Sequence, residues 1–247
     1  MASSDFGHRL ALSVGLLGPR LTGNIINGLS TSVNNVWSDV SDLGGVLTQP
    51  AAAGALSLVS SSAADTAAGT GARAVRVEGI NAAGEALEET VALSGTTPAA
   101  GSNYLHINRI TCVSFGSGES NAGDITASIG GVAQCRAVTG WGVSQSTIYR
   151  VPAGYRMWLG TFFLNALNGT NTTSWRFGVK LPGSGGWIYP AGFFQGDNAM
   201  PVEFRPEPFG AVYPAGTVTK WQARVGVAAT ISVATGMIYT LAKEGDL

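Results

Sequence analysis

Three observations on this 247-residue chain predict an all-β fold, with two antiparallel β-sandwich or jelly-roll-like domains preceded by an extended N-terminal arm. The first is the stretch Gly69 to Pro98, where two runs alternate with a period of two around a turn built on Asn81 and Gly84. The second is the even spacing of short apolar runs with Gly-rich punctuation, which is the pattern of sandwiches and barrels. The third is that no stretch reads as the crossover helix a parallel sheet requires. Composition shifts divide the chain into an arm (1–54), a first sandwich (55–140) and a second (141–247).

In chain order, residues 1–54 are rich in Gly, Ser, Asn and Leu without a clean period. Leu10, Val14 and Leu17 line a helical stripe that Gly15 and Gly18-Pro19 keep short. Brief strands are expected at Val36-Trp37 and from Gly44 to Leu47, and the whole arm is expected to lie against another subunit or the body of its own chain. Leu56 to Ser60 reads as a strand. In the hairpin, Arg73, Val75 and Val77 share one face of the first run, and Leu87, Val91 and Leu93 share one face of the second. Tyr104 to Phe115 reads as one longer strand, and Ile125 to Ile129 and Val132 to Val138 as a hairpin about Gly130-Gly131.

Beyond Gly140 five of the six tryptophans occur. Strands are expected at Ile148 to Val151, Tyr155 to Asn165, Thr172 to Leu181, Trp187 to Phe194, Pro201 to Arg205, Val218 to Val227 and Thr230 to Leu241. Trp175, Phe177, Val179 and Leu181 share one face against Arg176, Gly178 and Lys180, and Thr219, Trp221, Ala223 and Val225 share another. Pro206, Pro208 and Pro214 confine their neighbourhood to an edge or a loop.

Composition excludes more than it identifies. Hydrophobic residues make up 45% of the chain and charged residues only 12%, against about 25% in ordinary soluble domains. A polar, weakly charged exterior suits a subunit packed against neighbours. A net charge of −1 argues against nucleic acid or an anionic membrane as partner. The apolar run Leu10 to Leu17 is read as neither signal peptide nor membrane anchor: Asp5 flanks it, no Ala-x-Ala-like site follows, and it is far shorter than the ~20 residues a spanning helix needs. Cys112 and Cys135 show no metal spacing, and whether they pair cannot be deduced from their separation.

No catalytic constellation emerges, so the chain is read as non-enzymatic and without a cofactor. The histidines are His8 in the arm and His106 on a strand, and no nucleophile elbow accompanies either. Glu119, Asn121 and Asp124 offer oxygen ligands to calcium, although turn hydrogen bonding accounts for the same residue types. Glu88 and Glu89 are strand neighbours on opposite faces and cannot flank one glycosidic bond, which leaves Glu203 and Glu207 as the pair a sugar hydrolase would need. Asn168 and Asn171 begin glycosylation sequons, read here as loop residues. Trp175, Trp187, Tyr189, Phe193, Phe194 and Trp221 are candidates for a ligand or interface surface, either a sugar-binding platform or core and subunit contact.

Four segments carry a resemblance. They are Ser61 to Arg73 (SSAADTAAGTGAR), Glu89 to Pro98 (ETVALSGTTP), Asn121 to Ile125 (NAGDI) and Ile148 to Gly154 (IYRVPAG). Together the region of roughly residues 56–165 resembles virion structural proteins of tailed bacteriophages. The resemblance implies a non-enzymatic subunit located in the virion, assembled in the host cytoplasm and attached to the capsid as a decoration or head fibre through its arm and β-edges. A neck, tail or baseplate component is the alternative, as is a carbohydrate- or receptor-binding tip using the aromatic C-terminal domain. By the same analogy it implies a homo-oligomer, a trimer, with major capsid or neck and tail proteins as partners.

Overall fold

The computed structural model describes residues 21–166, 172–195, 202–204, 212–226 and 231–244. Their secondary structure is all-β. Near the start lie β1 (Leu21–Val33) and β2 (Ser38–Asp39). The next seven strands are β3 (Gly54–Ser60), β4 (Ala72–Ile80), β5 (Ala86–Ala92), β6 (Ala99–Tyr104), β7 (His106–Phe115), β8 (Ile125–Ile129) and β9 (Val132–Ala137). The rest are β10 (Tyr149–Arg150), β11 (Tyr155–Ala166), β12 (Thr173–Lys180), β13 (Ile188–Gln195), β14 (Val202–Phe204), β15 (Val212–Tyr213), β16 (Val218–Val225) and β17 (Ile231–Lys243).

Strands β3 to β9 form two antiparallel sheets, ordered β6-β3-β8-β9 and β5-β4-β7. They close on one core in which Leu56, Leu58, Ile125 and Ile129 of the first sheet meet Val75, Val77, Ile107 and Ile110 of the second. The hairpin alternation is realised: Val75, Val77 and Val91 are buried while Arg76, Glu78 and Thr90 face out. Its turn is the expected one, with Asn81 Oδ1 accepting from the N–H groups of Ala83 and Glu85 and Gly84 at φ 85°. Tyr104 to Phe115 is not one strand. The chain breaks at Leu105, whose N–H turns to the Ile80 carbonyl, so that β6 and β7 enter different sheets.

A second pair of sheets, ordered β1-β17-β11-β14 (with β15 also on β11) and β10-β16-β12-β13 (with β2 on β16), encloses the other core. Inward positions alternate as the pattern requires. Trp175, Phe177 and Val179 of β12 and Trp221, Ala223 and Val225 of β16 face Phe162, Leu164, Val233 and Met237 of the opposite sheet. Trp221 sits at the centre, its ring 4.6 Å from that of Phe162 and 5.2 Å from that of Phe177. Each such pair adds about 0.5–1.5 kcal/mol to the burial itself.

The stretch expected as an arm is, from Leu21 on, part of this second unit. Leu21 to Val33 pairs with β17, from Leu21↔Ala242 to Val33↔Ile231, and β2 pairs with β16. It therefore lies against the body of its own chain, and β3 to β9 are inserted between β2 and β10. Residues 1–20, including His8 and the apolar run from Leu10, lie outside the described part.

The crossing segments are knit together. Ile110 and Ser144 exchange hydrogen bonds, Cys112 N–H reaches the Gly142 carbonyl at 2.7 Å, and Asn108 bonds both the N–H and the carbonyl of Arg150. In effect the segment Gly142 to Arg150 extends the free edge of β7. Gly84, at the tip of the β4–β5 hairpin, accepts from the Ala153 N–H at 2.6 Å.

Candidate functional site

Three of the four resemblance segments meet at one buried residue. Asp65, fully buried, accepts with Oδ1 from the N–H groups of Ala72 (2.7 Å) and Ala122 (2.8 Å). Its Oδ2 accepts from Ser60 Oγ (2.6 Å) and from the Gly123 N–H (2.9 Å). Its carbonyl accepts from the Gly95 N–H, and a Thr66↔Ser94 bridge lies alongside. The Asp65 carboxyl group thus ties segment 61–73 to segment 121–125, and the main-chain carbonyl of the same residue ties in segment 89–98. A Cβ at Gly71 would run into Asp65 Oδ1, and one at Gly69 into the Ala64 carbonyl, which is the physical reason for Gly-Thr-Gly here.

Two of the three calcium candidates, Asn121 and Asp124, lie beside this knot with oxygens committed to protein donors. Asn121 is buried; its Oδ1 accepts from the Gly142 N–H at 2.9 Å and its Nδ2 donates to the carbonyls of Gly123 and Val138. Asp124 Oδ1 accepts from both the N–H and Oγ1 of Thr139, and Oδ2 pairs with Arg136 at 3.4 Å. Those N–H and O–H donors hold the Asp124 carboxyl below its ordinary pKa. Glu119 is exposed at φ 57°. Among the described residues no cluster of three His, Cys, Asp or Glu side chains could hold a metal.

The aromatic candidates separate into two groups. Trp175 and Trp221, at 1% and 0% exposure, are core residues that no sugar can reach. Trp187 and Tyr189 lie on the outer face of the same sheet. The side chains of Phe193 and Phe194 lie outside the described residues, as do those of Glu203 and Glu207, and Asn168 and Asn171.

That outer face is built by the alternate residues of β12 and β16, and the register Arg176↔Gln222, Gly178↔Lys220 makes it continuous. At one end Lys220 Nζ lies 2.8 Å from Asp39 Oδ1 and 4.3 Å from the centre of the Trp187 ring, with both charged side chains buried. Asp39 Oδ1 also accepts from Gln222 Nε2, and its Oδ2 from the Leu47 N–H. Arg176 donates from Nε to Gln222 Oε1 at 2.8 Å. Its guanidinium lies 3.9 Å from the Tyr189 ring centre and 4.2 Å from that of Trp37, and Arg224 lies 4.7 Å from Trp37. Gly178 makes the layer fit, since a Cβ there would stand 3.0 Å from Tyr189 Cε1 and 3.3 Å from both Lys220 and Trp187.

Chemically, this face offers planar π surfaces with fixed cations, a combination suited to anionic or protein partners. Sequence reasoning named Trp187 and Tyr189 but missed Trp37, Arg176, Lys220 and Arg224. The same alternation that assigns Trp175 and Trp221 to the core sends Arg176, Lys220 and Arg224 outward, so the signal was present.

The remaining ionisable groups are structural. His106 is buried, with Nδ1 2.9 Å from Gln49 Oε1. Burial, aided by the nearby Arg150 charge, pushes its pKa down to about 3. Asp42 is held by the Gln145 and Arg136 N–H groups, yet burial pushes it up to about 6. Cys112 and Cys135 are free and buried, and burial raises both thiols, Cys112 to about 12. A recess of about 160 Å³ lined by Leu29, Asp42, Val138, Trp141, Val143 and Gln145 lies at the junction of the two units. Among the described residues no helix is long and apolar enough to cross a membrane.

No protein-family model matches the chain, and no curated protein matches it. Two solved structures are similar to it. One is of infectious bursal disease virus Gt strain, at 11% identity over 96% of this chain and 76% of that one, with a TM-score of 0.23. The other is of T=1 particles derived from infectious bursal virus, at 10% identity over 94% and 83%, with a TM-score of 0.15. At these scores neither likeness bears on fold or function.

Proposed function

We propose that this chain is a non-enzymatic structural subunit of a virion. The observation that carries the reading is the convergence at Asp65. Three separate segments that resemble tailed-phage virion proteins come together there, two at the Asp65 carboxyl group and one at its main-chain carbonyl, which supports reading them as one unit. A β unit of this kind is rigid, presents its contacts on loops and faces, and has few charges to desolvate on assembly.

The finer reading is a tailed-phage capsid decoration or head-fibre protein, assembled in the host cytoplasm as a homo-oligomer, with a trimer proposed by analogy. A neck, tail or baseplate position is the alternative. A glycan-binding tip now rests on Trp187 and Tyr189, because Trp175 and Trp221 are enclosed in the core. Mass spectrometry of washed, density-banded particles tests the reading. The chain should be recovered at a fixed stoichiometry to the major capsid protein, and its absence from such particles would overturn the proposal. A glycan array in which Trp187→Ala abolishes a signal present in the parent would move the assignment to the receptor-binding tip.

A further inference from the structure

The outer-face cations are not used equally. Lys220 is buried against Asp39, but no carboxylate among the described residues pairs with Arg176, Lys180 or Arg224. The guanidinium of Arg176 lies over Trp37 and Tyr189 and that of Arg224 over Trp37, contacts that restrict both side chains and lower the entropy lost when an acceptor arrives. Next in the chain to Trp37 and Tyr189 stand exposed apolar residues, Val36 at 63% and Ile188 at 52%. Trp, Tyr and Arg are the residue types in which binding energy concentrates at protein interfaces.

The complement is on the same chain. Residues 55–140 carry seven carboxylates against four arginines and no lysine, a net −3, whereas residues 141–247 carry eight cations against five carboxylates, a net +3. With the buried charges set aside (Asp65 in the first unit; Asp39, Asp42 and the Asp39-paired Lys220 in the second), the balance is a net −2 against a net +2. In the first unit, Glu78 is taken by Arg76 and Arg109, but Glu88 beside it on β5 is exposed with no cation partner, and Glu85 is exposed at the hairpin turn. No ion pair among the described residues joins these glutamates to the cationic patch within one chain.

We infer that the Trp37, Arg176, Tyr189 and Arg224 patch of one copy docks on the Glu85 and Glu88 face of a second copy. The two patches lie on different β units, so the contact is made twice in a two-fold dimer, or once per neighbour in a head-to-tail ring or filament. The inference rests on the assembly role proposed above and names the surface that performs it.

Charge reversal tests it, read by sedimentation velocity over a concentration series. The parent chain should associate with concentration, and about 1 M NaCl, where the screening length is about 3 Å, should weaken that association. Arg224→Glu alone and Glu88→Lys alone should each weaken it about tenfold or more, since each sets like charges face to face. Mixing the two variants should restore association, because each then meets an opposite patch. Both positions are exposed, and unchanged circular dichroism and melting confirm that the variants fold. A parent that stays monomeric at every concentration overturns the inference, as does association that neither variant weakens. Sensitivity to Arg224→Glu without sensitivity to Glu88→Lys overturns the Glu88 face as the docking surface and points to a different surface of the second copy. A chain that self-associates by these rules yet is absent from particles overturns the virion reading and leaves the contact standing.

Discussion

Asp65 satisfies four donors with two oxygens, and three of those donors are backbone N–H groups in the interior of the loop region. Asp65→Ala removes every acceptor at once and leaves those N–H groups without water. At about 1–3 kcal/mol for each unsatisfied group, with partial relaxation, the expected loss is about 3–5 kcal/mol, read from urea unfolding. Gly71→Ala should cost a comparable amount from the opposite direction, by driving a methyl group into the same carboxyl. Loss below ~1 kcal/mol for both would show that the loops hold without the knot. Glu119 behaves differently, because its φ of 57° costs any residue with a Cβ. Glu119→Gly should stabilise the chain by about 0.5–1 kcal/mol. Millimolar calcium should leave the melting temperature of parent and variant unchanged, since Asn121 Oδ1 and Asp124 Oδ1 already accept protein donors.

At the scale of elements, the outer face of β12 and β16 depends on the pair Lys220–Asp39, which is buried on both sides. Asp39→Ala strands the ammonium and should cost about 3–5 kcal/mol, whereas Asp39→Ala combined with Lys220→Met should recover most of that loss. A double variant as unstable as the single one would mean that the Gln222 and Leu47 bonds of Asp39, not its charge, matter. How far such elements can be read in advance depends on where their partners lie. In strands β8, β12 and β16 apolar residues alternate with polar or small ones because one face meets an apolar core, so their ends were legible to within a residue or two. β1 was not legible, and its residues explain why. Gly23, Asn24, Asn27 and Gly28 break the alternation, and its hydrogen-bonding partner β17 begins about two hundred residues later. Gly28 has a tertiary purpose, since a Cβ there would collide with Thr147 and press on the Val40 carbonyl, a crossing that no local pattern announces. The aromatic site was half legible for the same reason. Period two separates the faces, but only the sheet register shows that Arg176 reaches Trp37 and Tyr189 together.

Across the whole molecule, two buried groups with displaced pKa values, His106 and Asp42, both sit where the two β units join. His106 reaches Gln49 in the segment entering the first unit, and Asp42 bonds Gln145 in the segment leaving it. Their effects on stability oppose one another. His106 is depressed from 6.5 to about 3, so the unfolded chain binds its proton first, and stability is lost as pH falls from about 6.5 toward 3. Asp42 is raised from 3.8 to about 6, so the folded chain binds its proton first, and stability is lost as pH rises from about 4 toward 6. In the shared window each contributes a slope of about 1.4 kcal/mol per pH unit with opposite sign. The parent should therefore show little change from this pair between about pH 4 and 6, and should weaken below that range, where His106 and the lowered Asp124 act together. Each substitution should expose the other slope. In Asp42→Asn, stability should fall by up to about 3 kcal/mol as pH drops from 6 to 4. In His106→Gln it should instead rise on acidification across the same window. Urea midpoints followed by tryptophan fluorescence at half-unit pH steps measure both, with the slope as the readout, so that a uniform loss of stability in either variant does not mask the result. Identical slopes in the parent and both variants would show that neither group is linked to the closing of the junction.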